Sequence, residues 1–104
     1  MEQFQVHRNP AVDSGNWAPY LLTLQSDLLA DLATVVVAPL VRREDFGQPA
    51  NILNPEFLIE GQDVVLSTAE LAGISRRQLG EPVESLAEHR DTVIAALDLV
   101  FTGI

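Results

Sequence analysis

The sequence predicts a small α+β fold, an antiparallel sheet closed by one long C-terminal helix. Three observations predict it. Several short segments are β-branched or alternate apolar and polar residues, with turn formers between them. One late segment carries apolar residues at helical spacing behind a capping motif. Strands that come first and a helix that comes last fit an α+β order better than repeated βαβ units.

The elements follow in order. "QFQVHR" places Phe4 and Val6 on one face and Gln5 and His7 on the other, the pattern of a half-buried strand. "NPAVDSGN" (9–16) is rich in turn formers and reads as a loop. "WAPYLLTLQS" (17–26) reads as a second strand, with Pro19 confined to its beginning or to an edge. Asp27 and Asp31 lie four apart, but Ser26 or Asp27 opening a turn is the simpler account of "SDLLADL". "TVVVAPLVRR" (34–43) reads as a third strand, with Pro39 marking an edge or a bulge. The polar connection after it has room for a helical turn.

"FLIEGQDVVLS" (57–67) is the clearest hairpin. Its apolar runs flank Glu60-Gly61-Gln62-Asp63, and Gly61 supplies a positive φ. "STAELAG" (67–73) reads as a short helix capped by Ser67, with Glu70 three residues on and Gly73 closing it. "ISRRQLGEP" (74–82) reads as a last strand. In the C-terminal helix, Ser85 and Glu88 form a capping box, and Leu86, Val93, Ile94, Leu97, Val100 and Phe101 make an apolar stripe. From Leu86 to Phe101 the helix would run roughly 24 Å.

Composition sets the class. The chain has 104 residues, 47% hydrophobic and 20% charged, the balance of one folded domain spanning 1–104. Cysteine is absent, which excludes disulfides and thiolate chemistry and fits a reducing cytoplasm. "MEQFQVHRNP" lacks the basic head and apolar run of a signal peptide. No apolar stretch reaches the roughly 20 residues of a membrane span, so no membrane association is expected. The net charge is −9, and every basic residue is an arginine. The pairs Arg42-Arg43 and Arg76-Arg77 read as solvated strand or loop ends rather than a phosphate track. A negative field favours a basic protein partner and no direct nucleic-acid binding.

Residues for catalysis are few. His7 sits on a strand and His89 at the helix start, and neither has a carboxylate at zinc-site spacing, so neither metal nor cofactor is expected. No serine occupies a strand–turn–helix elbow, and no glycine-rich phosphate loop occurs. Pattern and spacing therefore stop at a small α+β binding protein.

Three stretches add more. "LQSDLL" (24–29), "VVVAPL" (35–40) and "LAEHRDTVIAALDLVFTGI" (86–104) together resemble the CcdB toxin family, and the likeness runs over essentially the whole chain. The resemblance implies an SH3-like barrel with a C-terminal helix, and a cytoplasmic homodimer whose two helix ends form one surface. It implies a toxin neutralised by a CcdA-like antitoxin. It implies binding to the DNA gyrase A subunit, which traps the enzyme on cleaved DNA, with no covalent chemistry by the toxin itself and so no enzymatic activity. The family's gyrase-contacting positions fall here on Leu28, Leu29, Asp98, Phe101, Thr102, Gly103 and Ile104. The antitoxin-facing segments correspond to 9–16 and 42–50. Thr102 stands where the plasmid-borne pattern has tryptophan, and Asp98 where it has asparagine.

The end of the helix carries its own signal. Gly103 and Ile104 suit a Schellman stop. Yet a helix C-terminus favours basic residues, and this one offers Asp98 and a free carboxylate instead. Two other readings stand beside the gyrase poison. One is a toxin relic that binds antitoxin but not gyrase, and the other is a MazF-like endoribonuclease on the same barrel.

Overall fold

The computed structural model describes residues 3–11 and 18–103. The strands are β1 (Gln5–Arg8), β2 (Tyr20–Thr23), β3 (Thr34–Arg42), β4 (Glu56–Ile59), β5 (Gln62–Leu66), β6 (Ala72–Ser75) and β7 (Pro82–Ser85). The helices are α1 (Arg43–Phe46), a single turn, and α2 (Arg90–Thr102). All strand pairs are antiparallel, in the order β4-β5-β3-β2-β1-β7, with β6 also on β3. The sheet curls into an SH3-like barrel, and α2 closes it, as the sequence predicted. No helix among the described residues is long and apolar enough to cross a membrane.

β3 is the spine, because Val, Ala and Leu fill it and both its edges are used. Its N-terminal half pairs with β6 through Val35↔Ile74, and its C-terminal half with β5 through Val41↔Val65. The middle of its other edge, Val37–Leu40, pairs with β2. Pro39 therefore lies inside a central strand, not at an edge or in a bulge. The register explains why. Val36 accepts from Leu24 on the β2 side, whereas Pro39 accepts from Ser67 on the opposite side. The missing Pro39 donor thus faces the gap where β6 hands over to β5, and no ladder bond is lost.

The β4–β5 hairpin turns on two residues, Glu60 and Gly61, with Ile59 opposite Gln62. Both have positive φ, 52° and 78°, the type I′ pattern that matches strand twist. The turn then bends back toward the start of the sheet. Arg8 on β1 donates two bonds to Glu60, of 3.0 and 2.7 Å, and Tyr20 on β2 donates to it at 2.6 Å. This bonding ties the two ends of the curl together. Arg8 also reaches Glu81 at 3.1 Å, and its own pKa is held further up by the two carboxylates.

Phe4, Val6, Tyr20, Leu22, Leu40, Ile59, Val64, Leu66, Leu86 and Val93 form the core under the curl. Burial of each such side chain is worth roughly 1.5–3 kcal/mol. Val93 and Ala96 are the residues of α2 buried there, while Ile94 and Leu97 pack at its margin.

Several expectations change on contact with the structure. His7 is buried rather than solvent-facing, and its Nδ1 donates to the Gly80 carbonyl at 2.9 Å. The second strand is shorter than 17–26, because Pro19 precedes it and Thr23 ends it. Residues 67–73 do not form a helix. Thr68–Glu70 is one 3₁₀ turn, Ser67 makes no capping bond to it, and Gly73 sits within β6. The strand expected over 74–82 is split by a 3₁₀ turn at Arg76–Gln78, which Ser75 and Gln78 close as a capping box. Ser85 belongs to β7, and its Oγ accepts from Ala87 at the head of a 3₁₀ turn, Ala87–His89. The regular helix therefore starts only at Arg90. The loop expected at 9–16 falls mostly outside the described residues.

Candidate functional site: the acidic, apolar tip of the closing helix

The last turns of α2 build the site. Val93, Ala96 and Val100 follow the inward side, so Asp98, Phe101 and Thr102, related by three or four positions, share the outward side. Phe101 is 69% exposed, which removes it from the buried stripe predicted for it. Thr102 Oγ1 donates to the Asp98 carbonyl at 2.7 Å. That bond occupies the hydroxyl. Gly103 ends the helix at φ 77°, and its N–H donates to the Leu99 carbonyl at 3.1 Å. A bond from that residue to Leu99 is the αL stop, not the Schellman pairing, which would engage Val100. No basic residue occupies the last turn. Asp98 thus lies at the negative end of the helix dipole with its charge uncompensated there. Ile104 lies outside the described residues.

Leu28 and Leu29 occupy a different element. Asp27–Leu29 is a 3₁₀ turn capped by Ser26, whose Oγ accepts from Leu28 at 3.1 Å. Leu28 is 94% exposed and Leu29 47%, with Leu32 beside them at 48%. The structure thus brings Asp98, Phe101, Thr102 and Gly103 onto one helix end and places Leu28 and Leu29 on a loop. That loop is bonded to Arg76 and Gln25, not to α2.

The arginine pairs are largely engaged. Arg42 meets Asp45 at 3.8 Å, and Arg43 meets Glu56 at 3.5 Å. Arg76 is spent on backbone carbonyls, and among the described residues Arg77 is the arginine whose own side chain has no bonded partner. No cluster of His, Asp or Glu suited to a metal occurs among the described residues.

A cleft of about 590 Å³ runs beside α2, between Thr92 and Ala95 and the segment 49–56. Ile52 stands in it, 57% exposed at φ 71°. The Leu53 N–H donates back to the Asn51 carbonyl at 2.8 Å, so Ile52 is the centre of the rare γ-turn. Sequence reasoning missed this residue and Arg76. Neither has a local signal, because a β-branched residue is disfavoured at positive φ and a lone arginine does not name its acceptors.

Comparison with known proteins supplies the family. A family model described as CcdB protein matches residues 3–103. The chain belongs to the CcdB family. It is therefore a toxin of the toxin–antitoxin class. No curated protein matches this CcdB-family chain in sequence.

Solved structures share its fold. An endoribonuclease in complex with its cognate antitoxin, from Mycobacterial species, superposes with TM-score 0.74 at 16% identity, covering 96% of this chain and 93% of that one. A structure described as an Mtb toxin gives 0.66 at 20% identity, over 79% and 91%. The Mycobacterium tuberculosis toxin MazF-mt6 gives 0.67 at 20%, over 79% and 84%. These likenesses correct one expectation. A CcdB-family barrel was expected to carry no enzymatic activity, yet structures with the same barrel are described as endoribonucleases. The physical reason is that a fold fixes backbone layers, and chemistry is set by the side chains placed on them.

Proposed function

We propose that this CcdB-family toxin binds the DNA gyrase A subunit through the tip of α2 and the Leu28-Leu29 turn, holding gyrase on cleaved DNA. A homodimer would present two copies of the tip, and a CcdA-like antitoxin would neutralise it. The observation that carries the reading is Phe101, a large aromatic side chain 69% exposed at a helix end that also displays Asp98. Exposed aromatics are the usual anchors of protein interfaces. An acidic rim on an acidic chain suits a basic pocket. Such a ligand acts by binding one state of a cycling enzyme better than the others, so it shifts the population toward that state.

The test is gyrase with supercoiled plasmid. Linear DNA that appears after protein denaturation supports the reading, and its absence with active gyrase at saturating toxin sinks it. RNA cleavage is the second reading, favoured by the barrel shared with the endoribonucleases. Purified chain incubated with RNA separates the two. Cleavage without gyrase would replace the first reading with the second. Antitoxin binding without either activity would mark a relic.

A further inference from the structure

The turn that carries Leu28 and Leu29 buries none of its own residues. Leu32, three residues on, is also half exposed. Apolar burial therefore does not hold this loop in shape. Its backbone is held by polar side chains from elsewhere. Arg76 reaches across from the 3₁₀ turn after β6. Its Nε donates to the Leu32 carbonyl at 2.6 Å and its Nη2 to the Leu29 carbonyl at 3.3 Å. Its backbone N–H donates to the Ala33 carbonyl at 3.0 Å. Gln25 closes the other side, donating to the Leu29 and Thr34 carbonyls and accepting from Val36 at 3.1 Å. The turn that aims Arg76 is itself fixed by the Ser75–Gln78 capping box.

We propose that Arg76 is a positioning residue: it clamps the loop so that Leu28, Leu29 and Leu32 stand as one preset apolar knob for the protein target. The inference rests on the gyrase reading and adds Leu32 and Arg76 to it. Arginine suits this role because its planar fork reaches two carbonyls at fixed separation, which a lysine cannot do. Its Nη1 is enclosed with no acceptor among the described residues, so the clamp accepts a polar cost to hold the loop. Asp27 and Asp31 flank the leucines, so the groove that takes the knob is apolar with a cationic rim, as at the α2 tip. Fixing the backbone that carries three exposed side chains before binding removes a loop-ordering cost from association.

The experiment titrates full-length native chain, Arg76→Ala, Arg76→Lys, Leu28→Ala, Leu32→Ala and Phe101→Ala against the gyrase A subunit, with pairwise double variants. Amide hydrogen exchange at residues 29–34 follows the loop. Arg76→Ala is expected to speed that exchange and weaken binding about tenfold, with Arg76→Lys intermediate. Leu28→Ala and Leu32→Ala should each weaken binding in the native background. Both should cost less in Arg76→Ala, because the clamp acts through them. Phe101→Ala should cost the same in both backgrounds, which a general loss of structure would not allow. If native chain binds and Arg76→Ala or Arg76→Lys binds equally well, the clamp is wrong and the gyrase reading stands. Full additivity of Arg76 with Leu28 and Leu32 overturns it too. If native chain does not bind, the gyrase reading fails first and the clamp falls with it. Arg76→Lys serves if Arg76→Ala does not fold.

Discussion

Gly80 shows how one residue constrains this barrel. It has no positive φ, yet a Cβ there would lie 2.5 Å from the Arg8 carbonyl oxygen. Its N–H donates to that same oxygen at 2.9 Å, and its own carbonyl takes the His7 Nδ1 bond. Backbone against backbone leaves no side chain to move aside. Gly80→Ala is therefore expected to destabilise the protein by about 1–3 kcal/mol, read as a lower urea midpoint. Ile52 is the opposite case. Its φ of 71° is costly for a β-branched residue and free for glycine, while its side chain is mostly in solvent. Ile52→Gly should raise stability by roughly 0.5–1 kcal/mol despite the flexibility glycine adds to the unfolded chain. A fall in stability would show that Ile52 packs more than its exposure indicates. Neither effect was legible in the sequence, where Gly80 reads as a turn former and Ile52 as one more apolar residue.

Among the elements, α2 balances stability against surface chemistry. Its inward side keeps a helical period, with Val93 of the predicted stripe and Ala96, which the stripe did not include, fully buried. Its last turn does not follow the charge rule. Replacing an acid by a base at the helix C-terminus should stabilise it by about 0.3–1 kcal/mol. Asp98→Arg is expected to raise the melting temperature and to weaken gyrase A binding in the same protein. A variant that gains stability and keeps full affinity would remove Asp98 from the proposed interface. The sequence showed this conflict clearly, since it depends only on position within a helix. It showed Phe101 less well, because spacing alone assigned that residue to the buried stripe. The helix runs past the core before Phe101, and only the packing reveals how far the core extends.

For the whole molecule, bonds from Arg8 and Tyr20 to Glu60 join the β4–β5 turn to β1 and β2 across the curl. The Glu60 carboxyl is lowered below its ordinary pKa of 4.5, first by the Arg8 bond and then by the Tyr20 bond. Folding then favours the ionised form. Its contribution is present above the unfolded pKa and is lost as pH falls through the folded one. Tyr20 is pushed up from 10.0 to about 12, first by burial and then by its bond to Glu60. Folding there favours the protonated phenol, so its contribution holds below pH 10 and is lost as pH rises toward 12. Stability should therefore decline at both ends of the pH range. Tyr20→Phe should flatten the alkaline limb between pH 10 and 12, and Glu60→Gln the acid limb. Denaturant midpoints measured across pH check both, and unchanged limbs would show that this seam does not close the barrel.

The sequence by itself determined the strand-rich body, the hairpin at Glu60-Gly61, the closing helix and the family. Each of these is written in local periodicity, turn chemistry or contiguous motifs. Tertiary structure alone decided that Pro39 sits in the central strand, since only the exchange of β6 for β5 leaves its missing donor harmless. It also decided the burial of His7 and the reach of Arg76 to the carbonyls of Leu29 and Leu32. These contacts join residues more than forty positions apart, and their partners are backbone atoms. A backbone carbonyl is the same in every residue, so the sequence carries no mark of which one a side chain will meet.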